Sequence, residues 1–368
     1  MKAKKDLENV CQEIWNAAGN NLNIPTELKV NLDETYTQPL FKVELAGQAK
    51  LESKVFTTFA DLLQNNADDK SQEAFLEVII QPGGPMAKAW EYLKAKKILD
   101  PKQDREDFKE VLKELWFIMP PGKTSKGFEH VFVGERGKLG KHYDGFHNWY
   151  QFYLEQSKGT DVVKLEYLPD HTYLTKPIFM TGLKFKWRNA KKSADEGSSL
   201  FVGTSPAFDF AIFSTCAMSL FIEENIEVCT CGIHGSLLEI TAKQIFTKAK
   251  GKQVPTSKIN TAYPLSVVAL VCTSVPPNSR TDCGWLGIDR PTCGKRGCCF
   301  DSQQYGSQTY WCYYPSDHKC HGILPQNRKD CGFLGISRSE CEGKGCCFDE
   351  NFGHGVPHCF QGVPKDKI

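Results

Sequence analysis

The 368 residues predict an α+β chain in three parts. A helical lobe is expected over residues 1–118, a β-rich lobe over 119–268, and two small disulfide-rich modules over 269–316 and 317–363. Three observations carry this. Apolar residues recur at helical spacing through the first 117 positions. Pro120-Pro121-Gly122 then ends that pattern, and short β-rich runs follow. Finally, twelve of the 16 cysteines crowd between Cys272 and Cys359. At about 100 to 200 residues per domain, a chain of this length holds more than one unit.

In the first lobe the helical spacing is clear over Leu7 to Ala18, Phe56 to Leu63, Ala87 to Leu93 and Phe108 to Phe117. Beyond the break, strands are expected at Val131 to Val133, Tyr173 to Phe179 and Leu237 to Ile240. Two helices interrupt them. One begins near Phe146. The other has Ser205 as its N-cap and Pro206 as its first residue, and runs through Phe208, Ile212 and Cys216. Ala207 to Ile222, the most apolar stretch, is too short and too interrupted for the roughly 20 residues of a bilayer span, so no membrane span is expected.

The tail is an internal repeat. Asp282-Cys283-Gly284-Trp285-Leu286-Gly287-Ile288 aligns with Asp330-Cys331-Gly332-Phe333-Leu334-Gly335-Ile336, and Gly297-Cys298-Cys299-Phe300-Asp301 with Gly345-Cys346-Cys347-Phe348-Asp349. Each copy holds six cysteines, separated by eleven, ten and five positions before an adjacent pair. Dense, evenly spaced cysteines indicate disulfide scaffolds made in an oxidising compartment. The opening Met1 to Leu7 lacks the apolar core of a signal peptide, so we expect a secreted protein in a form from which the signal has been removed. Cys11, Cys216, Cys229 and Cys231 lie upstream; the last two are expected in a disulfide, with their partners undetermined. A formal net charge of +1 neither favours nor excludes an anionic partner, which leaves local clusters to decide.

Chemistry-bearing residues concentrate between Gly127 and Asn148, where Glu129, His130, Glu135, His142 and His147 stand among glycines. Lys176 to Ala194 adds Lys176, Lys184, Lys186, Arg188, Lys191 and Lys192 with no acid. Two imidazoles and a lysine suffice for RNA cleavage without a metal. The substrate's 2′-hydroxyl is the nucleophile, one histidine takes its proton, the other protonates the leaving 5′-oxygen, and a cation stabilises the phosphorane. Histidine serves either role near neutral pH. Three plainer readings stay open: His130, flanked by Phe128 and Val131, as a core histidine; the basic run as a solvated face; and the acids and histidines as a metal site, although no zinc-type spacing is present.

The blocks Phe128-Glu129-His130-Val131-Phe132-Val133-Gly134-Glu135, Gly145-Phe146-His147-Asn148-Trp149, Phe201-Val202-Gly203-Thr204-Ser205-Pro206-Ala207-Phe208 and Thr261-Ala262-Tyr263-Pro264 resemble the signature blocks of the EndoU endoribonucleases, in order, over about residues 6 to 265. The resemblance implies cleavage of single-stranded, uridine-containing RNA to a 2′,3′-cyclic phosphate. It makes His130 the general acid, His147 the general base, Lys192 the catalytic lysine with Lys191 as the adjacent alternative, and Glu129 and Glu135 supporting residues. Thr204 and Ser205, as phosphate or uracil ligands or simply as helix caps, and Tyr263 complete the set. No cofactor is required by this mechanism, although relatives are often stimulated by Mn2+. Two departures stand out. Ser193-Ala194-Asp195-Glu196 reads as an insertion beside the lysine, and Ala242-Lys243 replaces a Thr-Tyr pair expected to hold uracil and phosphate.

The tail resembles P-type trefoil domains, in which the first cysteine pairs with the fifth, the second with the fourth and the third with the sixth. This implies Cys272–Cys299, Cys283–Cys298 and Cys293–Cys312, then Cys320–Cys347, Cys331–Cys346 and Cys341–Cys359. It also implies glycan binding, with Asp282 and Trp311 in the first copy and Asp330 in the second, where His358 replaces the tryptophan. Mucin-type glycans bound through the first copy are the expected partner. Two alternatives remain: a glycan-binding structural protein with a weakened nuclease domain, and a metal-dependent phosphodiesterase.

Overall fold

The computed structural model describes residues 4–363 except 8, 32–38, 121, 137–139, 159–161, 174–178, 193–196, 224–225, 234–235, 250–251, 270–271, 273–274, 290–291, 294–295, 297, 302–309, 317, 324 and 350–354. For a few positions inside elements, most of 162–173 among them, the backbone alone is described. The chain forms two compact units that meet in sequence at Val267 and Val268.

The first unit starts with β1 (Lys5–Asp6), α1 (Val10–Ala17), β2 (Leu28–Val30), β3 (Phe41–Val43), α2 (Leu45–Leu51), α3 (Lys54–Gln64), α4 (Asp69–Ile79), α5 (Pro85–Ala95) and α6 (Arg105–Trp116). The four sequence-predicted helices are present as α1, α3, α5 and α6; α2 and α4 are additional. Their apolar stripes decide their orientation: α3 buries Phe56, Phe59, Leu62 and Leu63, and α6, opened by an Asp104/Asp107 capping box, buries Phe108, Leu112, Leu115 and Trp116.

After one π-helical turn (Glu129–Val133) come β4 (Glu135–Arg136), β5 (His142–Asp144), α7 (Trp149–Ser157), β6 (Val162–Tyr173), β7 (Phe179–Trp187), β8 (Ala190–Lys192), β9 (Ser198–Val202), α8 (Pro206–Leu220), β10 (Val228–Ile233), β11 (Ser236–Ala249) and β12 (Lys252–Ala269). One sheet has the order β4-β5-β8-β7-β6 with β9 also on β7; the other is β1-β10-β11-β12. The run Tyr173 to Phe179 ends β6 and starts β7, its middle lying outside the described residues.

Val131 to Val133 is a correction, since a strand was expected and a π-helical turn is found. Val131 and Phe132 are adjacent and both fully buried, whereas a strand would send them to opposite faces. Phe132 instead joins a cluster with Phe59, Trp116, Phe210 and Phe213, ring centroids 5.3–6.1 Å away. Helices of the first lobe and α8 of the second thus share one core. Every residue of α8 is buried, and its N-terminus is as expected: the Ser205 hydroxyl accepts from the Phe208 amide and Pro206 is the first residue.

All described disulfides of the tail follow the expected pairing. The upstream four resolve as Cys11–Cys231 and Cys216–Cys229, so no cysteine is free. Within the tail unit each copy repeats a buried ion pair, Arg280–Asp301 at 2.7 Å and Arg328–Asp349 at 2.6 Å. The copies share apolar contacts: Cys283, Ile288 and Tyr314 of the first cluster with Cys320, Cys347 and Phe360 of the second. An alternating chain of charge crosses between them, Arg296 to Glu342 at 2.5 Å, Glu342 to Arg338 at 3.6 Å and Arg338 to Asp282 at 3.1 Å.

Cys11–Cys231 fastens α1 to β10 across 220 positions. Replacing both cysteines by alanine should cost about 2–5 kcal/mol, because a long closed loop is released in the unfolded chain. Guanidinium unfolding measures it; an unchanged midpoint would mean that β1 and α1 are held by packing alone.

Candidate active site

Two chain segments make the site. The π-helical turn carries His130, and the loop from β5 to α7 carries His147. They are joined by consecutive backbone hydrogen bonds, Phe146 N to His130 O at 2.8 Å and His147 N to Val131 O at 2.7 Å. Gly145 permits the approach: its φ is +67°, and a Cβ there would overlap the His130 carbonyl oxygen. Gly127 plays the same part on the other side, where a Cβ would strike the Ile259 carbonyl of β12. The two imidazoles end with centroids 6.4 Å apart.

His147 is buried, at 6% exposure, and its Nδ1 lies 3.1 Å from the Ser199 carbonyl of β9. A carbonyl only accepts, so Nδ1 carries the hydrogen and Nε2 keeps a lone pair for use as a base. Burial, then the positive charges of Lys192 and His130, hold the His147 pKa well below the ordinary histidine value of 6.5. The ring is neutral at neutral pH. Tyr263 of β12 stacks on it at 4.8 Å and 24°.

His130 faces Glu135, with 3.5 Å between Nδ1 and Oε1, and the same carboxylate accepts from the Ser125 hydroxyl. Glu135 therefore orients His130. Glu129 does not touch that ring by any described contact; its carboxylate accepts from the Lys126 amide at 3.0 Å and braces the start of the turn. Lys192 Nζ donates to the Gly145 carbonyl at 2.8 Å and to Ser198 Oγ at 2.6 Å, which fixes the amine beside the histidines. Lys191, one step along β8, is exposed and pairs in register with His142 of β5, itself exposed. Strand alternation thus selects Lys192. Elsewhere in the basic run Lys184 pairs with Glu166 at 3.2 Å and Arg188 with Glu155 at 3.2 Å, while Lys176 and the insertion Ser193 to Glu196 lie outside the described residues.

Thr204 and Ser205, expected as possible substrate ligands, are each only 1% exposed. Ser205 caps α8 and its amide donates to Asn21, while the Thr204 carbonyl accepts from the Trp149 indole at 2.7 Å. They hold the junction of α7 and α8, and Ser205 fills the helix-cap role that the sequence also allowed. Ala242 and Lys243, marked as replacing a Thr-Tyr pair, belong to β11, where Lys243 pairs with Glu227 at 3.4 Å and no described contact reaches the histidines. Tyr263 of β12 is the residue stacked on His147, and Thr261 lies two positions earlier on the same strand. The Thr261 hydroxyl is buried with no hydrogen-bond partner among the described residues. The Thr-x-Tyr spacing on a strand was the available signal.

A manganese site does not fit these residues. Among the described residues, the groups of three ligand atoms that converge are disulfide cysteines and Glu73, Glu77 and Glu106. Those glutamates surround the Lys109 ammonium at 2.6, 2.6 and 2.7 Å, a countercharge that takes the place an ion would need.

In the tail, Trp311 is 44% exposed and offers a flat apolar face. Asp282 is buried, Oδ1 accepting from the Gly284 amide at 3.1 Å and Oδ2 from Arg338 of the second copy at 3.1 Å. Its counterpart Asp330 is exposed and accepts from the Gly332 amide at 3.0 Å. The stacking surface and the accessible carboxylate therefore fall in different copies.

Residues 6–264 match the family model Endoribonuclease XendoU, and residues 272–315 and 320–362 match the trefoil (P-type) domain. The chain is 30% identical over 304 residues to the poly(U)-specific endoribonuclease-B of Xenopus laevis, covering 74% of this chain and 96% of that protein. It is 30% identical over 298 residues to the poly(U)-specific endoribonuclease of Xenopus tropicalis, covering 71% and 93%. The solved structure of XendoU, described as a splicing-independent snoRNA-processing endoribonuclease, aligns over 72% of this chain and 97% of its own with a TM-score of 0.55 and 27% identity.

The depressed His147 pKa has a direct check in the imidazole carbon-proton resonances. His147 should titrate well below 6.5, and Lys192→Gln should move it upward by removing a neighbouring positive charge. A titration near 6.5 that ignores Lys192→Gln would contradict the electrostatics described.

Proposed function

The chain belongs to the XendoU endoribonuclease family, and we propose that it cuts single-stranded RNA at uridines by transesterification, leaving a 2′,3′-cyclic phosphate. The observation that carries this is the pair of facing imidazoles, 6.4 Å apart, with the Lys192 amine fixed beside them. Nε2 of His147 takes the proton of the 2′-hydroxyl, and the 2′-oxygen attacks phosphorus. The P–O5′ bond breaks, and His130, held by Glu135, protonates the departing 5′-oxygen. Lys192 stabilises the charge on the non-bridging oxygens. The half-buried Tyr263 suits an unpaired uracil, whose ring can stack on an aromatic side chain. No step passes through a metal ion, and stimulation by Mn2+ would come from binding elsewhere on protein or RNA.

The reading of a weakened nuclease rested on a missing Thr-Tyr pair. Tyr263 stacked on His147, with Thr261 two positions earlier on β12, offers another threonine and tyrosine and supports an active enzyme. The disulfide-rich trefoil tail suits an extracellular protein, where it would tether the nuclease to mucin-type glycans. Trp311 supplies the stacking face; the burial of Asp282 under Arg338 argues that Asp282 is not the carboxylate that meets the sugar.

Substrate chemistry tests the first part. An oligonucleotide with 2′-deoxyuridine at the cut site should be inert, and cleavage of it would rule out attack by the 2′-oxygen. His130→Ala and His147→Ala should each lose about 10²- to 10⁴-fold in rate while staying folded, and near-normal rates would favour the glycan-binding structural protein with a weakened nuclease domain. For the tail, Trp311→Ala should weaken binding to a mucin glycan array about 2- to 12-fold without changing RNA cleavage, as aromatic contacts of about 0.5–1.5 kcal/mol require. Unchanged glycan binding would remove Trp311 from the sugar site.

A further inference from the structure

Beneath the site lies a carboxyl group that the proposed reaction does not use. Asp209, in the first turn of α8, is 1% exposed, and no lysine, arginine or histidine pairs with it among the described residues. Its Oδ2 accepts from Asn148 Nδ2 at 3.1 Å. Asn148 follows His147 directly. Its own Oδ1 caps α7 by accepting from the Gln151 amide at 2.9 Å, and its backbone bridges to Phe201 of β9. On the other side of the carboxyl, Thr204 Oγ1 and Asp209 Oδ1 are both buried without a well-formed hydrogen bond, although the hydroxyl lies close enough to favour the ionised form.

A buried carboxyl without a countercharge is costly, and an apolar residue of similar size would pack α8 more cheaply. Its contacts give a reason for its presence. Through Asn148 it ties the turn that bears His147, and beside Thr204 it ties the turn that opens α8. These two turns meet over β9, whose Ser199 carbonyl sets the His147 tautomer. We infer that Asp209 is a positioning residue for the proposed base: through Asn148 it holds the His147 ring against the Ser199 carbonyl so that Nε2 faces the substrate. This rests on the reading of His147 as the base. Burial pushes the Asp209 carboxyl up to about 8, so the neutral acid prevails at pH 7 and asparagine is a fair mimic of it.

The test compares Asp209→Leu, Asp209→Asn and Asn148→Ser with the unaltered chain and His147→Ala, using a single-stranded uridine-containing oligonucleotide at pH 7 and a thermal midpoint for each protein. Serine at 148 keeps the helix cap and loses the donor to Asp209. Asp209→Leu and Asn148→Ser should each lower kcat about tenfold or more with KM nearly unchanged, since a displaced base spoils the reacting geometry more than binding. Asp209→Asn should restore kcat, and the double variant Asp209→Leu with Asn148→Ser should lose no more than either alone. If Asp209→Leu does not fold, Asn148→Ser against Asp209→Asn decides the same point. Normal kcat in folded Asn148→Ser, or equal losses in Asp209→Asn and Asp209→Leu that follow the thermal midpoint, would overturn the inference while leaving His147 as base. Normal activity in His147→Ala would overturn both.

Discussion

The chain at Gly145 passes so close to the His130 carbonyl that no side chain fits between them. That approach lets Phe146 and His147 donate their amides to His130 and Val131, and it brings two imidazoles from separate segments within 6.4 Å of each other. The rest of the site is arranged around the same contact. Lys192 caps the Gly145 carbonyl, β9 passes behind to accept from His147, and β12 lays Tyr263 across its ring. The π-helical turn follows from the same geometry, for it buries Val131 and Phe132 together while leaving His130 at the surface of the core. Such turns recur where a regular helix cannot place a functional side chain.

Electrostatics then separates two histidines that are alike in sequence. His147 is buried beside a lysine and a second histidine, all of which favour its neutral form. His130 instead has the Glu135 carboxylate 3.5 Å from its Nδ1 and is less deeply buried.

What could be read from the sequence was local or repetitive. His130, His147 and Lys192 stood in compact blocks, the Ser205-Pro206 start of α8 is a short-range signal, and the tail's cysteines repeat at fixed spacing. What could not be read depends on distant strands meeting. Tyr263 could be named from its block, but its stacking on His147 depends on β12 returning past Gly127, and the Cys11–Cys231 bridge spans 220 positions. The burial of Asp282 depends on an arginine from the other copy, so aligning each copy with an isolated module could not reveal it. Tandem modules that share apolar contacts and a four-membered chain of charge behave as one body, in which equivalent residues have different neighbours.

The central claim is that two histidines and a lysine, with no metal, turn the substrate's own 2′-oxygen on the adjacent phosphorus. The most direct measurement is mass spectrometry of both fragments of a short uridine-containing RNA cut by the intact protein in the presence of a chelator. A 2′,3′-cyclic phosphate on the upstream fragment and a 5′-hydroxyl on the downstream one are the expected ends. A 3′-hydroxyl facing a 5′-phosphate, or cleavage that stops when the chelator is added, would contradict it.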